Sequence, residues 1–249
     1  MSKNKILIIL WVIYFSLFGN HSAYADDDEF KEFESAIIKG SIHDPFESYN
    51  RKIYKFNDTI DRYFFEHLAR SYRKTIPKPA RLSFRNFLDN MTLPLSAINS
   101  IAQGKIDNGL ATFSTFLINS TLGVGGFFDI ARKKGINYER EDFGQTLGYW
   151  GFSSDNFLML PFFGPSNFRD FVGFSVDRTI DPLGFNALQV GGDTNFIDGS
   201  KRIFNTAFKV VDNREELLDI IDNIRQDSFD PYATIRSAYL QRRLAQIEN

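Results

Sequence analysis

The chain has 249 residues, of which 43% are hydrophobic, so it is long enough to form one domain with a sizeable core. Its 29 Lys and Arg residues nearly balance its 31 Asp and Glu residues, and the formal charge of -2 argues against a surface that binds nucleic acid. It has no cysteine, which excludes disulfides, thiolate metal ligands and thiol nucleophiles. Its 27 Phe residues are a large ring surface that must be buried in a core or face lipid.

The first 25 residues have the pattern of a secretory signal peptide. Lys3 and Lys5 precede the apolar run Ile6–Phe18, and the run is followed by a cleavage site of the A-Y-A form that ends at Ala25. An uncleaved membrane anchor is the alternative, but the run is shorter than the roughly 20 residues that span a bilayer. We therefore expect a cleaved signal peptide over residues 1–25, an acidic segment over 26–43 and a helical domain over 44–249.

The mature chain then begins with a clear helix-start signal. Asp44 is placed to cap a helix, Pro45 occupies the first helical position and Glu47 follows at the third. The next apolar residues are three or four positions apart, which predicts an amphipathic helix with a buried stripe. The stripe consists of Phe46, Tyr49, Ile53, Phe56, Ile60 and Tyr63.

Three more helices are predicted before the glycine-rich stretch. One begins after Pro79, and a short one begins at Pro94 and stops at Gly104. The third covers about Asp107–Leu122 and has Leu110, Phe113 and Leu117 on one face, with Thr112, Thr115 and Asn119 on others.

Three glycines, at positions 123, 125 and 126, resemble at first a loop that binds phosphate. The spacing does not match a dinucleotide fingerprint, and the stretch follows a helix instead of a strand. No Lys and Ser or Thr follow the last glycine, as a Walker loop would require; Phe127 and Phe128 stand there. The glycines are therefore interpreted as a helix exit, after which the two phenylalanines dock into apolar surroundings.

The second half of the chain also favours helices. The pattern loosens over Gly135–Gly164, which is compatible with a loop layer, short helices or a membrane-seated hairpin. Ser166 is predicted to cap a helix that ends at Asp181–Pro182, and a long helix is predicted over Ser200–Gln226. The last helix begins at Asp230, with the same start signal as the first. No alternating strand pattern of useful length is present, so the predicted fold class is all-α.

The residues needed for most enzymes are missing. Outside the signal peptide the only histidines are His43 and His67, which form neither a zinc helix nor a compact metal site. A metal beside His43 and Asp44 is a weaker alternative to a solvated cap. Glu139 and Glu141 could serve as acid and base, but they lie in a charged run typical of a solvated loop. We expect a protein that is not an enzyme, with no catalytic residues, metal or cofactor.

Five blocks resemble the MlaA (VacJ) family in order along nearly the whole mature chain. This resemblance implies a single, ring-like domain of amphipathic helices seated in or on the periplasmic side of a Gram-negative outer membrane. It also implies a function: the protein would remove misplaced phospholipids from the outer leaflet through an amphipathic channel and pass them to a soluble periplasmic carrier, in association with a trimeric porin. The blocks are DPFESYNRKIYKFN from Asp44, RNFLDNMTLPLSAINSIAQG from Arg85, FLINSTLGVGGFFDIA from Phe116, DFGQTLGYWGFSSDNFLMLPFFGPSNFRD from Asp142 and DPYATIRSAYLQRR from Asp230.

Family members commonly carry acyl chains on a cysteine after the signal peptide, and this sequence has none. We therefore expect membrane attachment through protein surface, without a lipid anchor. The competing function is a periplasmic or surface scaffold without lipid cargo, which would use the same aromatic residues as an interface.

Two sets of candidate site residues serve the implied transport of lipid: residues of the lipid path, and aromatic clusters that could enter the membrane. Phe56 and Asn57 are candidates for the lipid channel or its gate, and Arg169 and Asp170 either guide a headgroup or pair with each other. The membrane-facing candidates, for which ordinary core packing is the alternative, are Phe127, Phe128, Tyr149, Trp150, Phe162 and Phe163.

Overall fold

The computed structural model describes residues 44–153, 156–180 and 199–248. The predicted signal peptide, His43 and the predicted turn at Asp181–Pro182 lie outside these residues. The described chain is helical apart from one short hairpin, which confirms the predicted fold class.

The first helical rod has three consecutive parts. Helix α1 (Glu47–Ile60) passes directly into a π-helical segment (Asp61–Phe65) and then into α2 (Glu66–Thr75). The predicted start at Asp44 and Pro45 is wrong by two residues, because Phe46 is the N-cap residue of α1 and no side chain caps the helix. Asp44 shapes the turn before it, since its Oδ1 accepts a hydrogen bond of 3.1 Å from the N–H of Phe46. The rod ends before Pro77, since the residue that precedes a proline avoids helical geometry.

Helices α3 (Lys78–Ala102) and α4 (Ile106–Thr121) form an antiparallel hairpin. The turn between them includes Gly104, whose φ of 76° suits a residue without a side chain. The prediction that Pro94 begins a separate helix is wrong, because α3 continues through it. Pro94 removes one backbone hydrogen bond, but the packing of α3 along α4 keeps the helix continuous around it.

The loosely patterned middle of the chain contains short helices and a hairpin. These are α5 (Ile130–Lys133), α6 (Phe143–Tyr149), the antiparallel strands β1 (Phe157–Leu160) and β2 (Gly164–Asn167), and then α7 (Phe168–Ile180). The predicted cap at Ser166 is wrong by one residue. Asn167 caps α7, since its Oδ1 accepts a bond of 2.7 Å from the N–H of Asp170, while Ser166 pairs within the hairpin.

The last described range, 199–248, contains three helices: α8 (Gly199–Glu216), α9 (Leu218–Asp227) and α10 (Pro231–Glu248). The single helix predicted over Ser200–Gln226 is in fact divided at Leu217. The predicted start of the last helix is confirmed, because Asp230 Oδ1 accepts a bond of 3.2 Å from the N–H of Ala233.

The interior is unusually polar. Among the described residues, buried polar and charged residues outnumber buried apolar ones. The apolar core consists of small clusters, one around Phe65 and Val210 and another around Phe157, Met159 and Tyr232. Large apolar side chains lie at the surface instead, which is the reverse of what water alone as solvent would favour.

The predicted burial of the α1 stripe is correspondingly wrong for four of its six residues, while Ile53 and Ile60 do pack against the core clusters. Phe46, Tyr49, Phe56 and Tyr63 are all more than a third exposed, and Tyr63 is 82% exposed. The rod buries a different face, which contains polar side chains that bond to its neighbours. These are Asn50, which is fully buried, the half-buried Asn57 and the nearly buried Asp61.

Candidate functional site

Two asparagines of α1 bond to the β-hairpin. Asn50 donates to the carbonyl oxygen of Phe157 at 3.1 Å and accepts from the N–H of Met159 at 2.8 Å. Asn57, two helical turns later, donates to the carbonyl oxygen of Leu160 at 2.9 Å and accepts from the N–H of Phe162 at 2.8 Å. These bonds satisfy backbone groups that an edge strand would otherwise leave open, so α1 covers the edge of β1.

The candidate gate residues Phe56 and Asn57 thus have different surroundings. Asn57 holds the hairpin turn, where Phe162 has a φ of 64° that a residue with a side chain rarely adopts. Phe56 is 42% exposed, and its ring packs edge-on against Phe162 with the centroids 5.1 Å apart. The structure therefore brings one gate candidate and one membrane-facing candidate together. The roles of both stay predictions.

Asp170 is a centre of hydrogen bonding. Its Oδ1 accepts from Arg169 Nη2 at 2.8 Å, and its Oδ2 accepts from Arg243 Nε at 2.8 Å and from the hydroxyl of Tyr239. Burial alone would raise the pKa of Asp170, but the charge and hydrogen bonds of Arg243, with Tyr239 and Arg169, hold that pKa at about 2. Arg169 and Asp170 do pair with each other, and both side chains are nearly buried.

Arg243 extends this centre to a second element. Its two terminal nitrogens donate to the carboxylate of Asp142 at 2.6 and 3.0 Å. Asp142 in turn caps α6, and although burial would raise its pKa, Arg243 lowers it below the ordinary value. One guanidinium of α10 therefore joins the starts of α6 and α7. The sequence interpretation did not single out Arg243 or Tyr239, although both belong to the last family block.

A second buried ion cluster lies beside the π-helical segment. Asp61, the first residue of that segment, accepts from Arg214 Nε at 2.6 Å and from Arg225 Nη2 at 2.7 Å. These contacts attach α8 and α9 to the rod one helical turn after Asn57. The sequence interpretation missed this cluster, because nothing in the local pattern pairs residues more than 150 positions apart.

The glycine stretch is a packed helix exit. Asn119 accepts from the backbone N–H groups of Ile130 and Ala131 at 2.9 and 3.0 Å and donates to Asp129 Oδ1 at 3.0 Å. Gly126 has a φ of 98°, and a Cβ there would lie 2.6 Å from the Cβ of Asn90. The loop therefore closes on α3 and on the end of α4, as the interpretation as a helix exit predicts.

The two phenylalanines after the glycines have separate environments. Phe127 is half-buried and stacks on Phe87 of α3 with the ring centroids 4.9 Å apart, and it meets Phe84 edge-on. Phe128 is 50% exposed. The predicted docking into apolar surroundings thus describes Phe127, while Phe128 remains a candidate to face lipid.

The α3–α4 hairpin has an inverted distribution of polarity. The sides on which the helices meet hold small and polar side chains, including the buried Ser96, Ser100, Thr112 and Thr115. The outer side of α4, which we name the α4 face, is apolar, and its residues are between 45 and 58% exposed. It consists of Ile106, Leu110, Phe113 and Leu117. Small and polar residues between helices with apolar residues outside are typical of helices in contact with lipid.

The remaining aromatic candidates lie in two places. Tyr149 and Trp150 are half exposed at the turn of the α3–α4 hairpin, where Trp150 Nε1 donates to the carbonyl oxygen of Ala102 at 3.0 Å. Phe163 is half-buried in the turn of the β-hairpin and meets Phe174 edge-on at 5.9 Å. The placement of Tyr149 and Trp150 suits rings at a boundary between lipid and water.

The charged run around Glu139 and Glu141 is only partly solvated. Glu139 is exposed, but Glu141 is buried and accepts from Lys105 at 2.8 Å and from Gln103 at 3.0 Å. The prediction of a solvated loop is therefore wrong for Glu141. The prediction of a solvated cap is also wrong for Asp44, whose side chain is buried and bonds to Asn50, Tyr232 and Arg236.

The described residues contain neither a cluster of metal ligands nor a helix suited to span a membrane. In the part of the chain that the structure describes, no group of three or more His, Cys, Asp or Glu residues is placed to hold a metal ion. Across the same ranges, each helix is too short or too polar to qualify as a membrane span.

Comparisons with known proteins agree on one relationship. A family model described as MlaA lipoprotein matches residues 42–246. An uncharacterized protein of Rickettsia bellii is 34% identical over 98% of this chain and 93% of its own length. An Escherichia coli protein named intermembrane phospholipid transport system lipoprotein MlaA is 32% identical over 80% of this chain and 76% of its own.

A solved structure extends the relationship to the fold. It comes from work on the structural basis for maintenance of bacterial outer membrane lipid asymmetry. It matches with a TM-score of 0.67 at 29% identity, over 82% of this chain and 99% of that one. Because the family model and the relatives cover most of its length, this chain belongs to the MlaA lipoprotein family.

Proposed function

We propose that this protein transports phospholipids between membranes. In this proposal it removes misplaced phospholipids from the outer leaflet of the outer membrane through an amphipathic channel and passes them to a soluble periplasmic carrier. A trimeric porin would hold it in the membrane. No chemical bond needs to be made or broken, so the function requires no catalytic residue or cofactor.

One observation carries the proposal beyond family membership, namely the inverted polarity of the α3–α4 hairpin. A protein surrounded by water would lose free energy by exposing Ile106, Leu110, Phe113 and Leu117 on one helix. Transfer of these half-exposed side chains into acyl chains would contribute roughly 1 kcal/mol or more for each, which is several kcal/mol in total. This surface can replace the acyl anchor that the missing cysteine would carry.

The candidate gate is the contact between α1 and the turn of the β-hairpin. The rings of Phe56 and Phe162 provide an apolar surface for lipid tails. Beside them, the side chain of Asn57 is hydrogen-bonded to two backbone groups of the hairpin. Loss of Asn57 would release a turn that already contains a residue at positive φ. A movement of this turn would change the aromatic pair, and this is how we infer that passage is controlled.

The first test replaces the exposed ring of this pair. We expect Phe56→Asp to fold, because Phe56 is 42% exposed, and to alter the amount of phospholipid in the outer leaflet of cells. Lys52→Asp is the matched control, since it adds the same carboxylate to an exposed position of the same helix away from the turn. Unchanged outer-leaflet phospholipid in cells with well-folded Phe56→Asp would remove this contact from the mechanism. Deletion of Phe56 and Asn57 tests the gate less cleanly, because it would also rotate the helix and displace Asn50.

A scaffold without lipid cargo is the competing function. The mature protein, purified in mild detergent, should yield phospholipid on extraction in a reproducible ratio to protein. A lipid-free preparation that is monomeric without detergent would contradict transport and favour the scaffold.

A further inference from the structure

Further exposed apolar residues follow the end of α4 in the chain. Leu122 and Val124, in the glycine loop, are 64 and 65% exposed, and Phe128 follows at 50%. We call these three loop residues the loop end of the α4 face, because they follow its last turn in the chain, and we call the opposite end, at the α3–α4 turn, the turn end. The two ends carry different charges.

Two lysines lie at the loop end. Helix α5 is attached to the last turn of α4, because the side chain of Asn119 bonds to the N–H groups of Ile130 and Ala131. Lys133 ends this short helix and Lys134 follows it, and both are exposed. Among the described residues, neither ammonium group has an ion pair with a carboxylate.

The turn end has no such excess of positive charge. Lys105 Nζ lies 2.8 Å from the buried carboxylate of Glu141, so its charge is balanced. Asp107 and Glu139 are exposed there, and the side chain of Asn108 holds the backbone of Glu139 beside the start of α4. The apolar face therefore runs from an acidic end to a basic end.

We propose that the loop end of the α4 face docks onto an anionic phospholipid leaflet, with Lys133 and Lys134 as the headgroup contacts. The inference rests on the proposed membrane seating and adds its lipid selectivity. Apolar side chains that enter the acyl region place nearby lysines at headgroup depth, where their long stems can stay apolar and their ammonium groups can reach phosphate. A leaflet of neutral lipids would provide apolar contacts for the α4 face but no net negative charge for the two lysines.

The size of the effect follows from the number of charges. A lysine close to an anionic membrane surface strengthens binding by roughly a factor of five, so the pair should provide roughly 30-fold. This contribution is electrostatic and should diminish in high salt, whereas the apolar contribution should not.

The test compares vesicles of phosphatidylcholine alone with vesicles in which about a third is phosphatidylglycerol. The mature protein is diluted from detergent into each, and binding is measured by flotation. We expect a roughly 30-fold preference for the anionic vesicles, lost in Lys133→Gln/Lys134→Gln and kept in Lys133→Arg/Lys134→Arg. Lys52→Gln/Lys55→Gln is the matched control, because it removes two exposed lysines from α1 and should leave the preference unchanged.

The possible outcomes separate this inference from the proposed function. Equal binding to both vesicles, or a preference that survives in Lys133→Gln/Lys134→Gln, would overturn the headgroup contacts and leave membrane seating intact. Binding to neither vesicle would overturn the seating itself. Self-association of the protein in place of vesicle binding would instead assign the α4 face to a second copy of the chain.

Discussion

At the scale of single residues, Arg243 carries the most consequential contacts. It bonds to Asp142 and Asp170, both of which are the capping or first-turn residues of other helices. We expect Arg243→Ala to lower the free energy of unfolding by about 3 kcal/mol, because the buried carboxylate of Asp170 and the partly buried carboxylate of Asp142 lose their shared cation. Urea unfolding measures this loss. Gln246→Ala, one turn later and joined to Arg243 by a single bond of 3.3 Å, should cost less than about 1 kcal/mol. Equal losses in the two variants would contradict the central place of Arg243.

A second residue makes stability depend on pH. Burial raises the pKa of Glu216 to about 7, against the opposing charge of Arg85, so its ionised form is less favourable in the folded than in the unfolded protein. Its contribution to stability is therefore fully present below the unfolded pKa and is lost as pH rises through about 7. We expect Glu216→Gln to stabilise the protein by up to about 3 kcal/mol above the folded pKa of about 7 and to have little effect at acid pH. Unfolding curves at both pH values, with Glu139→Gln at an exposed position as the control, test this difference.

The sequence identifies some residues whose partners it cannot reveal. Asp44, Asp230 and the glycine run could be assigned as helix starts and a helix exit, because their signals are local. Asn57 and Asp170 could only be named, since their partners lie far away in the chain. The sequence predicts that Glu141 lies in solvent, because charged runs usually do, and only the folded chain brings Lys105 to it.

At the scale of elements, the glycine loop offers a matched pair of substitutions. Gly125 and Gly126 both have positive φ, of 74° and 98°, but a Cβ on Gly125 meets nothing within 4 Å, whereas one on Gly126 meets Asn90. We expect Gly125→Ala to cost roughly 1 kcal/mol for its backbone and Gly126→Ala to cost roughly 1–3 kcal/mol more for the clash. Thermal or urea unfolding of both variants measures the difference. Equal effects would mean that the loop does not close on α3 as described.

Helix periodicity was readable in the sequence, but the side that each helix buries was not. The apolar stripes of α1 and of α4 are both evident in the sequence, and the periodicity predicts that the α1 stripe faces the core. In the structure Phe56 of α1 and Tyr63 of the π-helical segment are exposed, as are Leu110 and Phe113 of α4. The assumption that apolar faces turn inward holds when water is the only solvent, and a sequence alone does not state which solvent surrounds a helix.

At the scale of the whole molecule, the two ends of the described chain hold each other. Arg51 of α1 donates to Asp230 at the start of α10 at 3.1 and 2.6 Å. In return, Arg236 of α10 donates to Asp44, before α1, at 3.2 Å, and Tyr232 donates to it as well. Each helix start thus binds a cation from the other helix. The similar start signals of the first and last helices, which are evident in the sequence, therefore belong to one reciprocal contact.

The α4 face lies outside the packed interior. We therefore expect substitutions on this face to affect membrane attachment and to leave the stability of the fold nearly unchanged. We expect Leu110→Gln/Phe113→Gln/Leu117→Gln to change the free energy of unfolding by no more than about 1 kcal/mol, because surface substitutions seldom cost more. The same variant should leave the membrane in carbonate washes that retain the unaltered protein, because it loses most of the apolar transfer energy of the face. Thr115→Val is the control on the opposite side of α4. It is fully buried and its hydroxyl has no hydrogen-bond partner, so it should keep both stability and membrane retention. A triple variant that unfolds would contradict the placement of the α4 face outside the packed interior, and one that stays in the membrane would assign attachment to another surface.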